Sequence, residues 1–264
     1  MQNPVPADLS SYLSQPTEPE LELLRLFRPS AALTIFDIGS CEGEDSVRYS
    51  RRFPRARVFA FEPLPANQVI IRANFSRHAV RNAELVPLAL SDHAGEATFH
   101  VSSGRPPELF SGEQWNYGNK SSSLLPPAAS EPMYGWIEFK EEISVPTNTL
   151  ENFCRDRAIT RIDFIHMDVQ GAEHLVLQGA GAMLSNITAI WLEVSDQQLY
   201  RGQKLRGDIQ AFMQAHGFSL VFESRREIEG DQFYVNTRRL RTWPYLGLRR
   251  LRSLASRAKR RLLG

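Results

Sequence analysis

Four acidic side chains stand at or near the ends of apolar segments that read as buried strands. They are Asp37, Glu62, Asp168 and Glu193. Because the carboxyl ends of parallel strands form the ligand crevice of an open α/β sheet, we expect these carboxylates to meet at one crevice. Burying four unpaired acids would be costly, so core packing does not explain the pattern. The pattern predicts a site for a nucleotide-like cofactor.

Two glycines follow the first of these acids. Residues 35–43 read Ile-Phe-Asp-Ile-Gly-Ser-Cys-Glu-Gly, which is typical of a buried strand that ends in a tight loop before a helix. Gly39 and Gly43 would let the backbone approach a ligand, and the first amides of the helix would point into the same crevice. Glu62 follows Gly43 by about 20 residues, the spacing of an acid that binds ribose hydroxyls. A glycine turn that binds nothing is the alternative for the loop taken alone.

The glycine spacing and the surrounding charge indicate which cofactor to expect. The loop lacks the G-x-G-x-x-G pattern that a dinucleotide pyrophosphate normally requires. A sulfonium cation beside an amino-acid ammonium suits an acidic crevice better than a diphosphate does. We therefore expect S-adenosylmethionine. The alternatives are a nicotinamide-dependent oxidoreductase on the same sheet type and a non-catalytic binding module that keeps the fold.

The elements that must position these acids alternate between strand and helix. After residues 35–43 the pattern predicts helices at 44–53, 65–75, 173–178 and 206–216, and strands at 57–62, 84–90, 96–101, 161–168, 189–195, 218–223 and 232–236. Such alternation is typical of an α/β protein with a doubly wound, mostly parallel sheet.

The same residues carry a resemblance to a known family. The motifs are Phe-Asp-Ile-Gly-Ser-Cys-Glu-Gly at 36–43, Phe-Glu-Pro at 61–63, Leu-Ser-Asp at 90–92, Ser-Ser-Ser-Leu at 121–124, Ile-His-Met-Asp-Val-Gln-Gly-Ala-Glu at 165–173 and Val-Leu-Gln-Gly-Ala at 176–180. In this order they resemble the FkbM family of S-adenosylmethionine-dependent methyltransferases, from residue 34 to residue 236. The resemblance implies a Rossmann-like class I methyltransferase sheet of seven strands with an antiparallel last strand. It also implies O-methylation of a hydroxyl on a sugar, glycan or natural product.

The resemblance implies a set of cofactor contacts: Asp37, Gly39, Ser40, Gly43, Glu62 and Asp92. In this set Glu62 accepts from the ribose and Asp92 contacts the adenine, although a turn cap is an equal alternative for Asp92. The family commonly has Ala-Asn where this chain has Ser40-Cys41, and it commonly has Glu where this chain has Gln170.

A hydroxyl acceptor loses its proton during methyl transfer, and a general base would assist. The titratable candidates by sequence position are Asp168, His166, Glu193 and His174. The resemblance places Asp168 beside the reacting centre, and His166 shares its side of a regular strand. A satisfied core histidine is the favoured interpretation of His166. Asp168 and Glu193 could instead hold a divalent cation, but two acids are a small ligand set, and we predict no metal.

The chain divides into one domain and two flanking segments. We expect a lead-in and helix over residues 1–33, a methyltransferase domain over 34–237 and a basic amphipathic tail over 238–264. Within the domain, residues 102–135 read as a substrate lid whose aromatic residues stack on an acceptor or anchor the loop. These are Trp115, Tyr117, Tyr134 and Trp136.

The tail and the cysteines bear on partners and location. Residues 238–264 contain ten Arg or Lys residues and no acid, with leucines at helical spacing. This pattern predicts contact with an anionic membrane surface; a solvated, partner-binding tail is an equal alternative, and nucleic acid is the weaker third. Cys41 and Cys154 lie far apart, and the first residues lack the pattern of a signal peptide. We therefore expect a cytoplasmic protein at the inner face of the membrane.

Overall fold

The computed structural model describes residues 9–105, 118–128 and 135–239. Its α-helices are α1 (Leu9–Ser14), α2 (Glu18–Leu26), α3 (Glu44–Arg52), α4 (Pro65–Arg77), α5 (Leu150–Asp156), α6 (Glu173–Gly179) and α7 (Arg206–Ala215). Its strands are β1 (Thr34–Ile38), β2 (Arg57–Phe61), β3 (Ala83–Val86), β4 (Ala89–Leu90), β5 (Gly95–Ser103), β6 (Glu138–Asn148), β7 (Ile162–Met167), β8 (Ile187–Ser195), β9 (Phe218–Glu223) and β10 (Glu229–Asn236).

Seven of the described strands form a central sheet in the order β3-β2-β1-β7-β8-β10-β9. Neighbours from β3 to β8 run parallel, whereas β10 is antiparallel to both β8 and β9. The prediction of a doubly wound, mostly parallel sheet with an antiparallel last strand is confirmed. β2 lies on one side of β1 and β7 lies on the other, so the strand order reverses at β1. Ligands of such sheets bind outside the carboxyl ends of the strands at this switch point.

The prediction of one third strand over 84–90 is wrong, because the segment divides at Pro87. β3 joins the central sheet, while β4 pairs with β6 in a separate sheet of order β4-β6-β5. Proline has no amide hydrogen to donate to a strand ladder. The following Leu88 amide donates to Val86 O (2.9 Å), which forms a tight turn between β3 and β4. The outer strand predicted at 96–101 is β5, which is one residue longer at its start and two residues longer at its end.

The two faces of the central sheet pack against different helices. Phe36 and Ile38 belong to the core that contains residues of α5, α6 and α7, whereas Ile35 belongs to the core that contains residues of α2 and α3. Phe153 of α5 packs against the β1 and β2 aromatics on the first face, with ring centroids 4.9–5.7 Å apart. Successive strand residues alternate between these faces. Asp37 therefore points toward α3, on the face opposite to that of Ile38.

The lead-in is more ordered than its composition predicts. Residues 9–14, expected to be a loose segment, form α1. Its Tyr12 hydroxyl donates to both Asp45 oxygens (2.9 and 3.0 Å), and Arg48 of α3 donates to Tyr12 O (2.7 Å) and Gln15 O (2.7 Å). These contacts are long-range, so local sequence could not reveal them. In the described part of the chain, helices are too short or too polar to cross a bilayer.

Candidate active site

An open cavity with about 530 Å³ of empty space, part of it open to solvent, lies outside the carboxyl ends of β1, β2 and β7. Three of the predicted site residues line it, namely Gly39, Glu62 and Asp168. The wall opposite the strand ends includes Lys120 and apolar residues near β4. The cavity therefore occupies the switch point of the sheet, where the acidic strand ends predicted a ligand crevice.

The glycine loop brings the end of β1 against the end of β7. Gly39 has φ +82°, a left-handed conformation, and a Cβ atom at this position would lie 1.9 Å from Asp168 O. The amides of Gly39 and Ser40 both donate to Phe61 O at 3.0 Å, which ties the loop to the end of β2 as well. Only glycine fits this position, because any side chain would separate the strand ends.

Glu62 is fixed at the cavity wall by two backbone amides. Its Oε2 accepts from the Cys41 amide (2.9 Å) and its Oε1 accepts from the Leu64 amide (2.8 Å). The side chain is 4% exposed, and this burial raises its pKa to about 8, although the amide hydrogen bonds act in the opposite direction. Each oxygen keeps a lone pair, so the carboxyl group can accept further hydrogen bonds from a ligand.

Asp168 and Glu193 are joined through a residue to which the sequence assigned no role. Gln170 Nε2 donates to Asp168 Oδ1 (2.6 Å) and to Glu193 Oε2 (3.0 Å), and Gln170 Oε1 accepts from the Tyr200 hydroxyl (3.2 Å). Asp168 is exposed to the cavity, whereas Glu193 lines an adjoining narrow cleft with Tyr200. Gln170 borders both spaces and orients the acid that faces the cavity.

The surroundings of this pair raise the pKa of both acids above their ordinary values. Removal from bulk solvent raises the pKa of Asp168, and the Gln170 hydrogen bond opposes that effect. Burial also raises the pKa of Glu193 well above its ordinary value, and the nearby Asp168 charge adds to the rise. A carboxylate with a raised pKa is a stronger base at neutral pH than an ordinary aspartate.

Asp37 and His166 lie on the α3 side of the sheet and are not among the residues that line the cavity. They are register partners on β1 and β7. Asp37 Oδ2 accepts from Ser46 Oγ (2.6 Å), and His166 Nδ1 lies 3.1 Å from the Tyr49 hydroxyl. Burial raises the pKa of Asp37 to about 7, and the neighbouring His166 opposes this. The cofactor and catalytic roles of these residues stay predictions.

Ser40, Gly43 and Asp92 also contact the protein itself. Ser40 Oγ donates to Phe61 O (3.1 Å), and Gly43 precedes α3 with φ +77°. Asp92 is largely open to solvent and accepts from Ser91 Oγ (3.1 Å), while a hydrogen bond with His93 lowers its pKa. None of the three lines the cavity. Their predicted contacts with the cofactor stay predictions.

The residues that sequence reasoning missed come from the segment predicted as a lid. A short 3-10 turn, Gly118–Ser121, forms a cavity wall. In this turn Asn119 Nδ2 donates to Asn67 Oδ1 (2.8 Å), and Lys120 Nζ lies 2.7 Å from Glu44 Oε1. The neighbouring 121–124 motif was a signal of location, but residue type alone did not distinguish Lys120 from a surface lysine.

The described part of the predicted lid is held against the site. Ser123 exchanges backbone hydrogen bonds with His100, and Ser123 Oγ donates to Gln170 O (2.8 Å). Trp115, Tyr117 and Tyr134 lie outside the described residues, as do residues 240–264 of the tail. Within the described ranges, groups of three or more His, Cys, Asp or Glu residues arranged to hold a metal ion are absent.

Comparison with known proteins gives an independent view of the same segment. The family model described as the methyltransferase FkbM domain matches residues 37–220. The chain is 35% identical over 205 residues to the 2-O-methyltransferase NoeI of Sinorhizobium fredii, covering 77% of this chain and 79% of the relative. It is 28% identical over 213 residues to the 31-O-demethyl-FK506 methyltransferase FkbM of Streptomyces tacrolimicus, covering 76% and 78%.

A solved structure that is similar in part is M. capricolum TrmK in complex with S-adenosylhomocysteine. The TM-score is 0.45 and the sequence identity 10%, and the match covers 84% of this chain and 68% of that one.

Proposed function

The chain belongs to the FkbM family of methyltransferases and is an S-adenosylmethionine-dependent O-methyltransferase, and from that premise we propose that its acceptor is a hydroxyl of a sugar, glycan or natural product. The observation that carries the proposal is Asp168, an acid that faces the cavity beside the glycine loop. One relative named above is called a 2-O-methyltransferase, and the other is called the methyltransferase of 31-O-demethyl-FK506. A hydroxyl acceptor needs a proton acceptor at this point, and Asp168 has the chemistry for it.

The residues around the cavity fit S-adenosylmethionine. Glu62 presents a carboxyl group that suits the two ribose hydroxyls. Asn119 is 7% exposed, and its Oδ1 lacks a hydrogen-bond partner among the described residues although the residue lines the cavity. A buried acceptor without a donor costs free energy, which a ligand with N–H or O–H groups would recover. When bound, the cofactor supplies the electrophilic methyl group.

The chain's own contribution to the reaction is position and proton transfer. Gln170 holds Asp168 by one 2.6 Å hydrogen bond, so the carboxylate has a fixed direction toward the cavity. From there Asp168 would orient the acceptor hydroxyl in line with the methyl group and take its proton as the oxygen–carbon bond forms. Glu193 lies on the far side of Gln170, so its proposed part is to support that geometry and not to contact the acceptor.

The test is methyl transfer by the full chain with S-adenosylmethionine and a panel of hydroxylated saccharides and polyketide-type alcohols. We expect an acceptor whose mass rises by one CH₂ group while S-adenosylhomocysteine forms in equal amount. The same acceptor with its hydroxyls acetylated should give no product. Transfer only to nitrogen-containing acceptors would contradict the proposed acceptor class.

We also propose contact with an anionic membrane surface in the cytoplasm. Arg238 and Arg239 follow β10 and line one groove together with Arg161, which precedes β7. Arg57 begins β2, and all four are exposed. These positions lie at the amino edge of the parallel strands, opposite the cavity. The basic sequence of residues 240–264 continues from this edge, and clustered arginines attract anionic lipid headgroups.

A further inference from the structure

Lys120 is the one basic side chain that lines the cavity in the described part of the chain. It extends from the Gly118–Ser121 turn, and its side chain is 29% exposed. The proposed reaction assigns it no role. A lysine partly withdrawn from water needs an ionic partner, because burying its charge is costly unless the charge is paired.

The contacts of Lys120 place it over the glycine loop. Its Nζ lies 2.7 Å from Glu44 Oε1 and 3.7 Å from Cys41 Sγ. The amide of the same Cys41 donates to Glu62, the proposed ribose acceptor. Cys41 therefore lies between the Glu62 carboxyl group and the Lys120 ammonium group.

The glycine loop itself has little left to offer a carboxylate. Each of its five amides donates to an acceptor in the protein. The acceptors are Phe61 O for Gly39 and Ser40 (3.0 Å each), Glu62 Oε2 for Cys41 (2.9 Å), Glu44 Oε2 for Glu42 (3.0 Å) and Ser40 O for Gly43 (2.6 Å). These amides are thus occupied within the protein, and the loop positions side chains.

The charges around the loop add to the requirement for a cation. Glu62 and Asp168 line the cavity, and Glu42 and Glu44 lie beside it in the loop and at the start of α3. Among the residues that line the cavity in the described part of the chain, Lys120 alone carries a positive charge that would attract an entering carboxylate. Burial lowers the pKa of Lys120, but Glu44, Cys41 and Glu42 together raise it by more, so the net pKa lies above the ordinary lysine value.

We propose that Lys120 binds the α-carboxylate of S-adenosylmethionine, with Glu44 holding the ammonium group of Lys120 in place. This inference rests on the cofactor assigned above and names the residue that recognises its amino-acid end. Lys120 would then distinguish the cofactor and S-adenosylhomocysteine from nucleosides that lack the amino acid.

Calorimetric titration with two ligands tests the assignment. S-adenosylhomocysteine carries the carboxylate, and 5′-methylthioadenosine lacks it but keeps the adenosine and sulfur. We expect Lys120→Met to weaken S-adenosylhomocysteine binding at least about tenfold, as for a lost hydrogen bond to a charged group, and to leave methylthioadenosine affinity unchanged. Lys120→Arg should recover part of the loss. Lys140→Met, at an exposed lysine paired with Glu138, is the matched control and should change neither affinity.

Two further measurements separate the competing explanations. Lys120→Met leaves Glu44 without its cationic partner, and an unpaired Glu44 could itself repel the ligand's carboxylate. The double variant Lys120→Met/Glu44→Gln removes that repulsion, and it should still bind S-adenosylhomocysteine weakly. The wild-type chain should bind decarboxylated S-adenosylmethionine at least about tenfold more weakly than S-adenosylmethionine, which requires no variant to fold.

The outcomes that overturn the inference are distinct from a failure of the proposed function. Wild-type affinity of Lys120→Met for S-adenosylhomocysteine, or wild-type affinity in the double variant, would remove the carboxylate role while leaving the methyltransferase intact. Equal losses for both ligands would indicate a structural role only. If the wild-type chain bound neither ligand, the cofactor assignment would fail first and the inference with it.

Discussion

Glu62 is a carboxyl group whose environment links cofactor binding to pH. Burial raises its pKa to about 8 in the ligand-free protein, so near neutrality the protonated form dominates. Ribose hydroxyls donate more strongly to a carboxylate than to a carboxylic acid, so binding should lower this pKa and release a proton. The affinity for a ribose-containing ligand should therefore rise with pH until the pKa of Glu62 in the free protein is passed.

We predict that methylthioadenosine affinity increases up to about tenfold per pH unit between about pH 6 and pH 8, and levels off above that range. This ligand is suitable because it has no amino acid that titrates. Titration in two buffers with different ionisation enthalpies should show proton release near pH 7. Glu62→Gln should bind weakly at every pH and abolish the proton release. A pH-independent affinity in the wild-type chain would contradict the ribose role of Glu62.

Asp168→Asn tests the residue that faces the acceptor. Asparagine keeps an oxygen that can accept from Gln170, so the geometry should persist while the basicity is lost. We expect turnover to fall about 10²- to 10⁴-fold, as for a lost general base, with S-adenosylhomocysteine affinity nearly unchanged. Glu193→Gln is the comparison, because Glu193 lies beyond Gln170 and its loss should cost much less. Unchanged turnover in Asp168→Asn would remove its catalytic role.

At the scale of elements, strand ends could be predicted and side-chain directions only in part. The apolar segments located β1, β2, β7 and β8, and the glycine loop falls where the spacing placed it. The expectation that four acids share one crevice is wrong, because strand residues alternate between faces. Asp37 therefore turns toward α3, and Glu193 lines the adjoining cleft, while Glu62 and Asp168 reach the cavity.

Contacts between distant segments explain what the sequence did not reveal. Lys120 becomes a site residue only through Glu44 and Cys41, which lie more than 70 positions away in the chain. Gln170 gains its place from Glu193 and Tyr200, on other elements. Residue type and local spacing contain no information on such pairs. The resemblance to a family gave the locations of these segments, but not their hydrogen bonds.

The glycine loop supplies a prediction at this scale. In Gly39→Ala the Cβ atom would lie 1.9 Å from Asp168 O in a left-handed conformation. We expect a loss of roughly 1–3 kcal/mol in unfolding free energy from the strained backbone, and loss of cofactor binding because β1 and β7 must separate. The control is Gly202→Ala, which has φ +86° but nothing within 4 Å of the added carbon.

Urea denaturation and calorimetry distinguish the two variants. Gly202→Ala should lose only the cost of the left-handed conformation, roughly 1–2 kcal/mol, and should bind S-adenosylhomocysteine as the wild-type chain does. If both glycine variants bound the ligand equally well, the close approach of β1 to β7 would not be needed for the site.

For the whole molecule, the two edges of the central sheet differ in charge and in the role that we propose for each. The carboxyl edge carries the cavity and its acids, whereas exposed arginines such as Arg55, Arg57 and Arg161 mark the amino edge. A surface bound at the amino edge would leave the cavity facing away from it. This arrangement suits an enzyme that is held at a membrane while its acceptor enters from the opposite side.

We predict that the full chain sediments with vesicles containing anionic phosphatidylserine, and that a chain ending at residue 239 does so much less. Each basic residue near such a surface contributes about 1 kcal/mol, and the tail holds most of them. Arg55→Glu should weaken sedimentation further, because it reverses a charge at the amino edge of the sheet. Arg201→Glu, at the carboxyl edge, should not. Binding should fall at high salt and vanish on neutral phosphatidylcholine vesicles. Equal sedimentation of the full and shortened chains would eliminate the tail as a membrane contact, and tighter binding to duplex DNA than to the vesicles would favour nucleic acid instead.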